Sequence, residues 1–248
     1  MSTGIIRGTL QLKNKVYLTP HYIRVVLTGD DISLFSGVTV GLNNKLFIPN
    51  KKDSENPYRR TYTLRALDVE AGEMSIDFVA HGDEGPASAW AIHSVAGDTI
   101  EVVMKDKSAP LYPEADWYLL AGDHTALPVI SVILETLPAY AEGFAFIQVQ
   151  GPEDILDIKT PSKVKINWLF GDHVQQPHLL LGAVSNVILP REKTKYIFAA
   201  AEADAVRSLR GYFKETGIQR EELSAYAYWK AGTSEDGSEA ERRKEKSE

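Results

Sequence analysis

The run Arg59-Arg60-Thr61-Tyr62-Thr63-Leu64 reads as a β-strand. Side chains alternate across a strand with period two, so Arg60 and Tyr62 project from one face. A guanidinium beside an aromatic ring on a rigid strand can hold a pyrophosphate with the first and cover a planar heterocycle with the second. A flavin dinucleotide needs both. The run is also compatible with an ordinary strand, because Tyr and Thr are common in strands and Arg is common at edges.

The sequence that follows adds a second element of the same kind. Asp77-Phe78-Val79-Ala80-His81-Gly82-Asp83-Glu84-Gly85-Pro86-Ala87-Ser88-Ala89-Trp90-Ala91 reads as a strand, a glycine turn and a helix opening at Pro86. Proline suits the first helical position. Free backbone N–H groups at such a start attract an anion, and small Ala87 and Ser88 let a phosphate approach. One strand and one helix start, each able to hold a pyrophosphate, predict a dinucleotide between them.

Outward from these two stretches the first half reads as short strands. Ile5 to Tyr17 and Tyr22 to Leu27 are rich in Ile, Val, Leu and Thr and break at Thr19-Pro20. Lys45 to Pro49, the Arg60 strand, Met74 to His81 and Asp98 to Met104 continue the series, with a helix over Pro86 to Val95. The pattern predicts a small closed antiparallel barrel over residues 1–106. Lys105 to Asp116, with two prolines and no periodicity, reads as a linker.

Beyond it the rhythm changes. Trp117 to Ala121 is a continuous apolar run, as in a strand buried on both faces. Strands are predicted at Phe144 to Val149, Val164 to Phe170, Lys195 to Ala201 and Ser224 to Lys230, with helices at Ala126 to Thr136, Pro177 to Val187 and Glu202 to Thr216. Such alternation predicts an α/β domain over residues 107–232, a parallel sheet with helices on both faces and ligands beyond the carboxyl ends of its strands. Residues 233–248 carry six acids and four bases with no large apolar side chain and read as a charged, disordered tail.

Composition bounds the chemistry. The 248 residues are 44% hydrophobic and 25% charged, as in an ordinary globular protein. No secretory pattern and no apolar stretch of the roughly 18 residues needed to span a membrane is visible, so a cytoplasmic protein without membrane insertion is expected. With no cysteine there is no disulfide, thiolate nucleophile or iron–sulfur ligation, and redox chemistry must reside on a bound cofactor. A net charge of -7 argues against nucleic acid as a partner.

The paired elements Arg60-x-Tyr62-Thr63 and Gly85-x-x-Ser88 resemble the flavin motifs of the ferredoxin-reductase-like superfamily. His81 to Ala91, Gly122-Asp123-His124-Thr125-Ala126-Leu127-Pro128 and Tyr228-Trp229-Lys230-x-Gly232 resemble one branch of it, the siderophore-interacting proteins, which are flavin-dependent ferric-siderophore reductases. The resemblance implies a Greek-key FAD-binding barrel followed by a nucleotide or electron-donor domain. It implies cofactor contacts from Arg60, Thr61, Tyr62 and Thr63, from Asp77, Phe78, Val79 and His81, and from Gly85, Pro86, Ala87 and Ser88. Thr125 and Trp229 are further expected contacts. Tyr62 would lie against the flavin ring, Thr63 near its reactive nitrogen, and Arg60 with the Gly85–Ser88 helix start on the pyrophosphate.

Ferric siderophores are often anionic, so a protein of net negative charge needs local cations to bind them. Lys45 and Lys230 match basic positions of the family pattern, and Arg65 is a third candidate; as isolated residues, each also reads as a solvated surface cation. His124 stands where the family more often has an acidic residue, and the thiol that many relatives place beside the nicotinamide is absent. Both NAD(P)H and ferredoxin therefore stand as donors, and a monomer is expected. The histidines show no metal-binding spacing; His81, His93, His124, His173 and His178 fall on different elements. Two other readings stand beside ferric-siderophore reduction: a general NAD(P)H-linked flavin electron-transfer reductase, and a siderophore-binding protein without redox turnover.

Overall fold

The computed structural model describes residues 4–50, 52–83, 85–106, 108–172 and 174–233. Glu84, His173 and the charged tail read beyond Thr233 lie outside the described residues. The chain divides between Leu111 and Tyr112 into two compact units.

The first unit contains strands β1 (Ile5–Thr19), β2 (Tyr22–Thr28), β3 (Asn43–Ile48), β4 (Tyr58–Thr63), β5 (Ala66–Asp68) and β6 (Glu73–Val79), helix α1 (Pro86–His93) and strand β7 (Thr99–Lys105). They form one antiparallel sheet in the order β4-β3-β7-β1-β2-β6-β5. The ends of that list are adjacent in the chain. β4 pairs with β3 and β5 with β6, and between them the Leu64 N–H donates to Leu42 O and the Arg65 N–H to Ser75 O. One run of chain thus changes partner at Leu64 and closes the sheet into the expected Greek-key barrel.

Alternation builds its core. In β2, β3 and β7 every second residue is buried, among them Ile23, Val25, Leu46, Ile48, Ile100 and Val102. Phe78 of β6 joins them fully buried, and burial of such a side chain contributes about 1.5–3 kcal/mol. The α1 helix stops at His93, two residues before the predicted end. The Lys15 ammonium accounts for the stop by donating to the carbonyls of Ala91 (3.0 Å), Ile92 (2.5 Å) and Ser94 (2.8 Å), while Ser94 turns extended.

The second unit alternates as predicted: β8 (Trp117–Asp123), α2 (Leu127–Thr136), β9 (Glu142–Val149), β10 (Lys163–Phe170), α3 (Leu179–Ser185), β11 (Lys195–Glu202), α4 (Ala203–Glu215) and β12 (Leu223–Trp229). All strand pairings are parallel, in the order β10-β9-β8-β11-β12. Every residue of β8 is buried, as its apolar run requires at the centre of a sheet covered on both faces. α2 is buried continuously from Leu127 to Leu134 and approaches β8 closely: a Cβ at Gly122 would lie 2.7 Å from that of Ala126. α4 is amphipathic, burying Ala205, Val206, Leu209 and Phe213 against the opposite face together with Leu180 and Val184 of α3. The strand order reverses between β8 and β11, and the carboxyl ends there are where a doubly wound sheet takes its ligands.

Candidate flavin and chelate site

In the first unit, β4 carries two faces. Arg60 and Tyr62 lie opposite Leu46 and Asn44 of β3, while Thr61 lies opposite Lys45 on the other face of the ribbon. The Tyr62 ring sits 4.3 Å from that of Phe78, and Phe78 sits 5.8 Å from Trp90 of α1. This ladder of rings sets Tyr62 where β4 approaches β6. Phe78 itself is buried beneath it, and Thr63 is only 3% exposed. The Arg60 guanidinium lies 5.6 Å from the Tyr58 ring centroid and donates to Arg59 O. Asn44, opposite Tyr62, is buried with neither end of its amide hydrogen-bonded among the described residues.

The chain from β6 into α1 is shaped by three side chains. Gly82 takes a φ of 84°, the left-handed region that favours glycine. The Ser88 hydroxyl accepts from the His81 N–H (3.0 Å) and donates to Gly82 O (2.7 Å), closing the turn from inside; Ser88 is 1% exposed. The His81 imidazole packs over Gly85, where a Cβ would lie 2.6 Å from its Cε1. Pro86 occupies the first turn of α1 and no side chain caps that start. The first N–H groups of the helix have no carbonyl one turn earlier to bond, and such a start can take an anion. Together with the Arg60 and Tyr62 face, that arrangement fits a flavin dinucleotide.

Asp77 is buried on the outward side of β6. Its carboxylate takes a bidentate pair from Arg24 of β2 (2.7 and 2.8 Å), and the Arg65 guanidinium lies 3.7 Å away. Arg65, read from sequence as a chelate contact, is thus placed against Asp77. Val79 pairs with Tyr22. Lys45 donates to the Thr61 hydroxyl at 2.5 Å.

In the second unit, Thr125 and Trp229 are brought together by a residue the sequence reading did not single out. Asp123 Oδ1 accepts from the Thr125 N–H (2.8 Å) and hydroxyl (2.5 Å), and Oδ2 accepts from the Trp229 indole (2.7 Å) and the Glu202 N–H (2.9 Å). Burial, the neighbouring Tyr226 and the Asp123 charge push the Tyr228 phenol up from its ordinary value. Lys230 follows, exposed at the end of β12.

Comparison with known proteins places both units. Residues 51–107 match the siderophore-interacting FAD-binding domain and residues 115–232 the siderophore-interacting protein domain. The ferric vibriobactin reductase of Vibrio cholerae is 32% identical over 94% of this chain and 93% of its own length. The chain belongs to the siderophore-interacting protein family. Among solved structures of that family, SipS from Aeromonas hydrophila superposes with a TM-score of 0.87 at 28% identity, covering 98% of each chain. A siderophore utilization protein from T. fusca gives 0.83 at 30%, covering 93% of this chain and 95% of its own. A ferredoxin NADP+ reductase from Neisseria gonorrhoeae, with a TM-score of 0.61 at 13% identity over 88% of this chain and 95% of its own, shares the fold. Among the described residues no helix is long and apolar enough to cross a membrane.

Proposed function

We propose that this siderophore-interacting protein is a ferric-siderophore reductase that binds FAD, reduces Fe(III) in the chelate to Fe(II), and draws its electrons from NAD(P)H or ferredoxin. The observation that carries the reading is the Tyr62–Phe78 ladder at β4 and β6, with the uncapped α1 start directly beyond β6. In this reading Tyr62 covers the flavin ring, Thr63 lies near its reactive nitrogen, and Arg60 holds the pyrophosphate with the first N–H groups of α1. Thr61, Asp77, Phe78, Val79, His81, Gly85, Pro86 and Ala87 shape the same surface, and Ser88 keeps its turn closed. Bound FAD supplies the conversion of paired electrons into the single electrons that Fe(III) accepts. Hard oxygen ligands hold Fe(II) less firmly than Fe(III), so reduction loosens the chelate. The lack of cysteine suits a reducing cytoplasm.

Lys45 and Lys230 are the proposed cations for the anionic chelate, with Arg65 engaged at Asp77. Replacing either lysine by Ala should raise the KM for ferric vibriobactin about tenfold, the loss of roughly 1.4 kcal/mol expected for one charged hydrogen bond, with kcat little changed. An unchanged KM in the double variant would contradict the assignment. Preserved Arg60, Tyr62, Gly85 and Ser88 favour a redox protein over a plain chelate carrier.

A further inference from the structure

Two buried carboxylates converge on the end of the second sheet, and each divides its oxygens in the same way. Asp123, 0% exposed, uses Oδ1 for a local turn, accepting from the N–H and hydroxyl of Thr125. Its Oδ2 reaches to β12 instead, where it takes the Trp229 indole at 2.7 Å, and to the Glu202 N–H at 2.9 Å. Glu202, 5% exposed, uses Oε2 to cap α4, accepting from the N–H groups of Asp204 (2.5 Å) and Ala205 (3.4 Å). Its Oε1 accepts from the Ala231 N–H at 3.2 Å.

The local turn and the helix cap need one oxygen each. The second oxygen of each carboxylate binds the chain on one side of Lys230: Trp229 before it and Ala231 after it. Lys230 itself is exposed. Only a carboxylate offers enough acceptor sites to serve β8, the α4 start and the end of β12 together, and bonds to an ionised acceptor are the strong ones.

We infer that Asp123 and Glu202 are positioning residues for Lys230, holding the Trp229 side chain before it and the Ala231 N–H after it so that its ammonium is presented to the anionic ferric chelate. The inference rests on the proposed reading of Lys230 as a chelate contact. A lysine on a mobile strand end loses conformational freedom when it binds, and a backbone fixed beforehand removes part of that cost. Asp123 holds the Trp229 indole and Glu202 the Ala231 N–H, so the chain segment carrying Lys230 is tethered at both neighbours.

Glu202→Gln separates this role from the helix cap. An amide has a single acceptor oxygen; the two cap donors retain it, which turns the NH2 group toward the Ala231 N–H, donor against donor. Affinity is read with gallium(III) tris(catecholate), an anionic complex that cannot be reduced under these conditions, titrated into the FAD-loaded protein and followed by tryptophan fluorescence. Glu202→Gln should weaken binding about fivefold, and the Glu202→Gln/Lys230→Ala double variant should bind no more weakly than Lys230→Ala alone, the signature of two residues acting through one contact. Where Glu202→Gln is not recovered folded, Asp123→Asn enters the same cycle. Unchanged affinity in the positioning variant, or losses that add in the double variant, would overturn the inference. Loss of no affinity in Lys230→Ala, or no binding by the parent protein, would instead overturn the reading of Lys230 on which it rests.

Discussion

The space that a Cβ would occupy at Gly85 is already taken by the His81 imidazole, 2.6 Å from the position such an atom would have. His81 is exposed and its ring can swing away, so Gly85→Ala should disturb the fold little. The added methyl would push the His81 ring aside next to the helix start where the pyrophosphate is proposed to sit. The expected outcome is an FAD dissociation constant raised about tenfold, close to 1.4 kcal/mol, with the thermal midpoint nearly unmoved. Equilibrium dialysis with FAD checks it, and an unchanged constant would remove Gly85 from the cofactor surface. At this scale the sequence is partly readable. Arg60 and Tyr62 share a face because period two demands it, while the pairing of Lys45 with Thr61 is set by the β3–β4 register, which no local pattern fixes. Asp123 was invisible for a physical reason: its partners lie 79 and 106 positions away in the chain, at Glu202 and Trp229, and no local pattern announces a contact of that span.

Among the elements, α1 is the one the account depends on and the one least able to stand alone. It has eight residues and buries only Ala87, Ser88 and Ala91, and a helix so short is marginal without outside support. Support comes at one end from the Ser88 hydroxyl and at the other from Lys15, whose ammonium satisfies three carbonyls at the negative end of the helix. Burial pulls the pKa of that ammonium down, and the Asp98 charge opposes the shift. Lys15→Met keeps the apolar stem and removes the donors, so it should lower stability by about 1–2 kcal/mol in urea unfolding and weaken FAD binding along with it. A variant with parental stability and parental affinity would show that α1 needs no such cap. Most elements announce themselves locally: the apolar run of β8, the unbroken burial of α2 and the amphipathic stripe of α4 follow from composition and period. β5 escaped because three residues are too few to show alternation, although they complete the barrel.

For the whole molecule, two architectures follow in one chain: a Greek-key barrel whose strand changes partner at Leu64, and a parallel sheet in the order β10-β9-β8-β11-β12. The change of periodicity after the linker marks that division in the sequence, while the proposed chemistry rests on reading Arg60, Tyr62 and the Gly85–Ser88 start together. With no cysteine in the chain, the account places the electron-carrying step on FAD and gives the protein the tasks of holding the cofactor and the chelate. The most direct test is an anaerobic half-reaction on the FAD-loaded protein. The flavin is reduced chemically, ferric vibriobactin is added, and the visible flavin spectrum is followed beside a ferrous trap. The bleached flavin absorbance should return as trapped Fe(II) appears, two irons for each flavin fully reoxidised. A protein that takes up no FAD, or a reduced flavin that stays bleached in the presence of the chelate, would contradict it.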